Sequence, residues 1–337
     1  MITLIPVIAV VGFVLSALIR KRALKNNQLD IPNERSSHVA PTPHGAGVAI
    51  AISFVVGLLV LLLNDTISNR IFLTLALPGT GVAIIGRLDD LGRLTSAKWR
   101  LVGHFCVAIF AVALADGLPV LPLTASVIDF GLAGDVAAII YLVWLLNLFN
   151  FMDGIDLITA VQTITISSSV AMLLVVKTDS NLWYVLAVLG AAVIGFAFLN
   201  LPPAKIFLGD VGSGFIGFTI GAISIVVAKD EPLIAWSLII MLGLFVSDAT
   251  VTLLRRIIAR ERVYIAHRTH AYQNLAKKMN RHLPVSVGVG VINIFWLLPI
   301  AWFVASGELL PITGLLVAYI PLIILAIYLN AGRQPTI

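Results

Sequence analysis

Residues 147–157 read NLFNFMDGIDL and set Asn147, Asn150, Asp153 and Asp156 at intervals of three. In a helix each such step turns about 300°, so Asn147, Asn150 and Asp153 share one broad face. Gly154 weakens the helix where DGID begins, which puts Asp156 in a turn or a new first turn. An amide and one or two carboxylates converging at a helix end are hard oxygen donors. They suit Mg²⁺, which keeps several waters and is held by one or two carboxylates plus substrate phosphates. Alone, the pattern is weak, because a single Asp at a membrane rim is also a cheap solvated residue.

Four further segments carry groups that handle anions. FLGDVGSGF, 207–215, combines Asp210 with three glycines and Ser213. Glycines let backbone N–H groups approach an anion at a helix N-terminus, and small residues equally serve close packing of membrane helices. GRLDDLGRLTSAKWR, 86–100, puts Asp89 and Asp90 among Arg87, Arg93, Lys98 and Arg100. Adjacent carboxylates repel unless a cation sits nearby, so this pair fits a metal ligand, a general base or an ordinary charged loop. DIPNERSSHVAPTPHGAGVAI, 30–50, has three prolines that limit its freedom and hold Arg35, His38 and His44, for binding or as part of a rigid connector. AHRTHAYQNLAKKMNRHL, 266–283, repeats Ala271, Leu275, Met279 and Leu283 every four residues, which predicts an interfacial amphipathic helix over 271–283. His267, Arg268 and His270 precede it. With no third nitrogen or sulfur ligand nearby they read poorly as a zinc site and better as a phosphate contact. Asp248 is expected to pair with Arg255 or Arg256 in a structural role.

The elements that position these groups follow from composition. Of 337 residues, 59% are hydrophobic and 12% charged, against about 25% charged in soluble domains. A membrane span takes roughly 20 mostly apolar residues. Eleven segments qualify, at about 2–19, 46–63, 71–86, 101–115, 135–150, 157–176, 183–199, 212–228, 233–254, 285–305 and 310–330. The expected fold is all-α, a polytopic membrane protein of about eleven transmembrane helices, read as a single domain over 1–337. Arg20, Lys21, Arg22 and Lys25 follow the first apolar run rather than precede it, so that run is not a cleavable signal peptide. The single cysteine, Cys106, cannot form an intrachain disulfide and reads as a small hydrophobe.

Lys/Arg bias orients the chain with its N-terminus outside and its C-terminus in the cytoplasm. Inner loops 20–45, 87–100, 151–156, 200–211 and 255–284, with the tail after 330, then hold nineteen Lys and Arg, against Arg70, Lys177 and Lys229 outside. The net charge of +5 describes an inner surface facing anionic lipids and solutes, and nucleic-acid binding is excluded as its meaning. All six histidines and the compact acidic groups fall on that same side.

In their order along the chain these segments resemble the polyprenyl-phosphate N-acetylhexosamine-1-phosphate transferase family (glycosyltransferase family 4). That family includes the phospho-MurNAc-pentapeptide transferase of peptidoglycan synthesis and the enzymes that start O-antigen and enterobacterial common antigen chains. DIPNERSSHVAPTPHGAGVAI resembles its D-x-P-x-x-R-x-x-H-x-x-P-T-P-x-G-G segment. LDDLG resembles its Asp-rich motif, NLFNFMDGID its N-x-x-N-x-x-D-G-x-D motif, FLGDVGSGFIGF its F-x-G-D-x-G-S segment and HRTHAYQ its His motif. The resemblance implies transfer of a sugar-1-phosphate from a UDP-N-acetylhexosamine to polyprenyl phosphate, releasing UMP, with Mg²⁺ (or Mn²⁺) as cofactor. It implies Asn150 and Asp210 as metal ligands and Asp153 and Asp156 as catalytic supports of the metal and nucleotide site. Asp89 and Asp90 become the pair near the lipid phosphate, one of them a base or nucleophile. Arg35, His38, Gly209, Ser213, His267, Arg268 and His270 become substrate contacts.

Some positions depart from that pattern. Gly45-Ala46-Gly47 replaces a Gly-Gly pair, Leu157 stands where a glycine is usual, and Tyr272 and Gln273 stand where further histidines are common in other branches. HRTHAYQ looks most like the branch that starts O-antigen chains with 6-deoxy-N-acetylhexosamines. The implied donor is therefore UDP-GlcNAc or a UDP-linked quinovosamine or fucosamine type. The alternatives are the peptidoglycan phospho-MurNAc-pentapeptide reaction and, from another class, a secondary transporter. The implied setting is multi-pass in a bacterial inner membrane, with membrane lipids as partners, no nucleic acid, and a homodimer left open.

Overall fold

The computed structural model describes residues 1–32, 40–93, 96–124, 127–261 and 267–333, with backbone alone at 127 and 128. Arg35 and His38 lie outside the described residues. The helices are α1 (Leu4–Lys25), α2 (Gly47–Leu63), α3 (Asn69–Asp90), α4 (Ala97–Ala115), α5 (Gly131–Met152), α6 (Ile158–Lys177) and α7 (Trp183–Asn200). They continue as α8 (Gly209–Asp230), α9 (Pro232–Met241), α10 (Gly243–Ile258), α11 (Ala271–Met279), α12 (Leu283–Ile292), a π-helical turn (Asn293–Leu297), α13 (Leu298–Ala305) and α14 (Pro311–Tyr328). Two short antiparallel ladders, Leu29–Asp30 with Thr42–Pro43 and Leu121–Pro122 with Val127–Ile128, are the only strands among the described residues.

The all-α, polytopic membrane architecture is as expected. Among the described residues nine helices are long and apolar enough to cross a membrane, or ten when α9 and α10 count as one span bent by 57°. Gly47–Leu63 is a shorter apolar helix. The expected ninth span, 233–254, is thus not one straight helix. Its break falls at Leu242, where Gln162 Nε2 donates to the Met241 carbonyl at 3.2 Å. Asn293, at the start of the π-helical turn, donates to Gln162 Oε1 at 2.9 Å and to Thr165 Oγ1 at 2.7 Å. A broken helix frees a carbonyl that hydrocarbon cannot satisfy, so a buried donor is required there.

Helix α8 is the centre of the bundle. It is buried without interruption from Val211 to Ala228, as expected of a helix apolar on every side. Lipid tails offer no hydrophobic drive for helix association, so small residues that let backbones touch take its place. A Cβ on Gly47 of α2 would lie 2.1 Å from the Gly212 nitrogen. One on Gly86 of α3 would lie 2.7 Å from the Val211 Cα, and one on Gly217 would lie 2.4 Å from the Leu145 carbonyl oxygen of α5. These three contacts draw the ends of α2, α3 and α5 together around the N-terminal end of α8.

Gly47→Ala is expected to lower the thermal-unfolding midpoint in detergent, through an overpacking cost of about 1–3 kcal/mol. Gly288→Ala, where an added methyl meets nothing within 4 Å, is the neutral comparison. Equal midpoints for the two variants would contradict the α2–α8 contact.

Candidate functional site

The Pro/Gly loop before α2 lies along the segment that leads into α8. Phe207 N donates to Pro43 O at 2.8 Å, Ala46 N to Phe207 O at 3.1 Å, and Gly47 N to Leu208 O at 2.9 Å. The turn needs Gly209 at φ +76°, a region that glycine enters without penalty. A Cβ at Gly209 would also lie 2.9 Å from Asp90 Oδ2. Its absence lets the last residue of α3 reach the first turn of α8, where Asp90 Oδ1 accepts from Asp210 N at 3.0 Å. A carboxylate there meets the unpaired N–H groups and positive end of the helix.

Around this contact the acids converge. Arg100, in the first turn of α4, contacts Asp89 Oδ2 and lies 3.8 Å from Asp210 Oδ2. Asn150 Nδ2, near the end of α5, donates to Asp210 Oδ1 at 3.1 Å. Asp90 Oδ2 is buried with no hydrogen-bond partner among the described residues. Asp89, Asp90, Asn150 and Asp210 therefore form one group drawn from α3, α5 and α8. Asn147, on the same face of α5 by sequence, instead donates to its own Val143 carbonyl at 2.7 Å.

Asp153 caps the end of α5 and joins this group to a second acid. Burial pushes its carboxyl up to about 7, and the nearby Asp210 and Asp156 push in the same direction. Asp156 is buried; its Oδ2 accepts from Ala204 N at 3.3 Å and lies 3.3 Å from His282 Nδ1. Leu157, in the place where glycine is usual, adopts φ +67°, and its amide donates to Asn200 Oδ1 at 2.7 Å. The turn is thus held by a side chain from α7.

Asp156 also lines an open cavity of ≈ 680 Å³ between the 202–207 segment, α11 and the start of α12. Arg268, Lys277, Arg281 and His282 line it too, together with Phe207 and Gln273. Its walls carry far more positive than negative charge, which suits an anionic ligand. Phe207 and Thr42 place it directly beside the loop that feeds Asp210.

The remaining expected contacts divide. Arg268 faces the cavity. His270 is buried, with Nδ1 3.2 Å from Asp248 Oδ1. His267 stacks on it with ring centroids 5.0 Å apart. Burial, then His270 and Arg256, lower the His267 pKa to about 4, so its ring is neutral at pH 7. Ser213 is buried, and its hydroxyl donates to the Gly209 carbonyl at 3.2 Å, so it braces the turn rather than facing an open site. Asp248 does not take the expected arginine: Arg256 reaches Glu261 at 3.2 Å and Arg255 donates to Ala331 O at 2.9 Å. The expected amphipathic helix over 271–283 ends at Met279, since Asn280 turns to φ +49° and α12 begins at Leu283. Arg100 and His282 belong to the site although no motif singled them out.

The donor set fits a divalent cation. No group of three or more His, Cys, Asp or Glu with metal-site geometry occurs among the described residues, and Mg²⁺ does not require one. Asp210 supplies a carboxylate, and the Asn150 amide that touches it through Nδ2 carries a hard oxygen donor on its other arm. Asp90 Oδ2, without a partner among the described residues, lies in the same group.

A family model described as Glycosyl transferase family 4 matches residues 72–228, from the start of α3 to the end of α8. The chain is 28% identical over 269 residues to a probable undecaprenyl-phosphate N-acetylglucosaminyl 1-phosphate transferase of Bacillus subtilis (strain 168), covering 78% of this chain and 73% of that protein. It is 32% identical over 220 residues to a phospho-N-acetylmuramoyl-pentapeptide-transferase of Halalkalibacterium halodurans, covering 61% and 66%. With the Orientia tsutsugamushi protein of the same description it shares 26% over 304 residues, covering 78% and 79%.

Arg100 is the one described cation in contact with Asp89 and Asp210, so Arg100→Gln leaves those carboxylates repelling each other. The variant is expected to melt several degrees below wild type in Mg²⁺-free detergent and to regain most of that in millimolar Mg²⁺. A deficit that Mg²⁺ does not change would show that the acids do not share a cation site.

Proposed function

We propose that this chain, which belongs to glycosyl transferase family 4, transfers an N-acetylhexosamine-1-phosphate from a UDP-sugar to a polyprenyl phosphate at the cytoplasmic face of a bacterial inner membrane. The products are a polyprenyl-diphospho-sugar and UMP. The observation that carries this reading is the single group of Asp89, Asp90, Asn150 and Asp210 at one end of the helix bundle, beside a cationic cavity. It is supported by the relatives, one a probable undecaprenyl-phosphate N-acetylglucosaminyl 1-phosphate transferase and another a phospho-N-acetylmuramoyl-pentapeptide-transferase.

Two anions must meet for this transfer, a phosphate at headgroup depth and a soluble nucleotide diphosphate. Arg268, Lys277 and Arg281 supply positive charge for the donor on the cavity side. Arg100 limits repulsion between the acids and the incoming phosphates. Asp90 is the proton acceptor we assign for the lipid phosphate, because its Oδ2 has no hydrogen-bond partner among the described residues. The phosphate oxygen of the lipid forms a bond to the sugar-bearing phosphorus, and the bond from that phosphorus to UMP breaks. Bound by Asn150 and Asp210, Mg²⁺ would supply neutralisation of diphosphate charge and of the leaving group.

For the donor we propose UDP-GlcNAc or a 6-deoxy-N-acetylhexosamine, in a pathway that starts O-antigen or related envelope glycans. The motif HRTHAYQ favours that branch over the peptidoglycan reaction. A secondary transporter would carry ionisable groups near the bilayer midplane. The buried polar groups that hold the α9–α10 break here, Gln162 and Asn293, are uncharged.

Purified protein incubated with polyprenyl phosphate, Mg²⁺ and a panel of UDP-N-acetylhexosamines is expected to release UMP from one donor above the rest. Asp210→Asn and Asp90→Asn are each expected to lower that rate at least about tenfold, equivalent to roughly 1.4 kcal/mol of barrier, with membrane insertion intact. UMP release near the wild-type rate by both variants would remove the acidic group from the mechanism.

A further inference from the structure

We infer that Asp248 is a positioning residue for donor binding: through the N-terminus of α11 it sets the wall of the cationic cavity that carries Lys277 and Gln273. The inference rests on the proposed transferase reading for the ligand, while the geometry stands without it. Asp248 lies on the membrane helix α10 and is 4% exposed, a costly place for a carboxylate unless donors surround it.

Four donors do so. Its Oδ1 accepts from Ala271 N at 2.9 Å, from Thr252 Oγ1 at 3.1 Å and lies 3.2 Å from His270 Nδ1, while Oδ2 accepts from Tyr272 N at 3.0 Å. The first N–H groups of a helix have no partner within it. Here two of the nine-residue α11 are taken by a side chain from another helix, which also meets the positive end of the α11 dipole. One carboxylate therefore fixes both the position and the direction of α11.

The rest of the first turn is locked in consequence. The Tyr272 hydroxyl donates to Phe151 O at 3.0 Å. A Cβ on Gly154 would lie 2.3 Å from that hydroxyl and 2.8 Å from Gln273 Nε2, so α11 seats directly on the DGID turn. The outward face of the same helix gives Gln273, Ala276 and Lys277 to the cavity. Asp248 does not line that cavity. Any effect it has on a ligand there must pass through α11 and the His270 that precedes it.

Asp248→Asn keeps the side-chain size but replaces one acceptor oxygen with an NH₂ that cannot receive an amide N–H. In the full-length protein in detergent, the dissociation constant for UDP and the KM for the donor are expected to rise at least about tenfold. kcat and the KM for polyprenyl phosphate should stay within about twofold. Hydrogen exchange at Ala271 and Tyr272 should accelerate. Combined with Lys277→Ala, the loss in UDP affinity should be smaller than the product of the two single losses. A fall in kcat with unchanged donor KM and UDP affinity, or fully multiplicative losses, would overturn the inference and leave Asp248 a stability element only.

If Asp248→Asn does not accumulate in membranes, Thr252→Val removes one donor from the same carboxylate. It should raise the UDP dissociation constant about threefold, and no change would again overturn the inference. Failure of the transferase reading is separable. A wild-type protein that neither binds UDP nor releases UMP would reject that reading. Exchange at Ala271 and Tyr272 would then still test Asp248, with unchanged exchange in the variant refuting it.

Discussion

The site depends on backbone contact between α8 and its neighbours at glycines. Gly47 against Gly212, Gly86 against the Val211 backbone and Gly217 against Leu145 bring α2, α3 and α5 close enough for short side chains to meet. Aspartate and asparagine reach only a few ångströms from their own backbone. With α3 displaced from α8 by one side-chain layer, Asp90 would not reach the Asp210 amide. The two roles open to these glycines, anion contact or helix packing, thus divide by position: Gly212 and Gly217 pack helices, and Gly209 admits Asp90 to the helix end.

Bringing like charges together has an electrostatic cost that the surrounding groups offset in different ways. Arg100 bridges Asp89 and Asp210, Asn150 contributes a neutral amide, and the α8 N-terminus takes one oxygen of Asp90. Asp156, farther along the same turn, is paired with His282 and the Ala204 amide. The two sides of the site differ in sign. The α3–α5–α8 side is rich in oxygen donors, and the α11–α12 side in cations. A cation and a polyanion can be held between them without either side being neutral by itself.

Much of this was legible in the sequence. Spacing and composition located the helices and put Asp89, Asp90, Asn150, Asp153, Asp156 and Asp210 at their ends, because apolar runs in a membrane protein leave few places for charge. What the chain does between those ends was less legible. The α9–α10 bend has no proline at its break; it is held by Gln162 from α6, 79 residues away. Asp248 looked like a partner for the nearby arginines, yet its donors come from the start of α11, 23 and 24 residues on. His270 looked like a substrate contact and turned out to be buried against Asp248. Ser213, one turn into α8, faces its own helix backbone. In each case the deciding partner is distant in sequence, and periodicity carries no information about it. Arg100 was visible within its segment, but only the approach of α4 to α3 distinguishes it from Arg93 and Lys98.

The buried amide chain from Asn293 through Gln162 to the Met241 carbonyl also constrains how the protein is made. Its members lie on α6, at the α9–α10 junction and at the π-helical turn after α12, so it closes only when the Leu283–Ala305 span is in place. Until then Gln162 can donate to the Met241 carbonyl, but its own Oε1 lacks the Asn293 donor that fixes the amide. The brace on the α9–α10 bend is therefore completed late in synthesis, after the segment that carries Asn293 has joined the bundle.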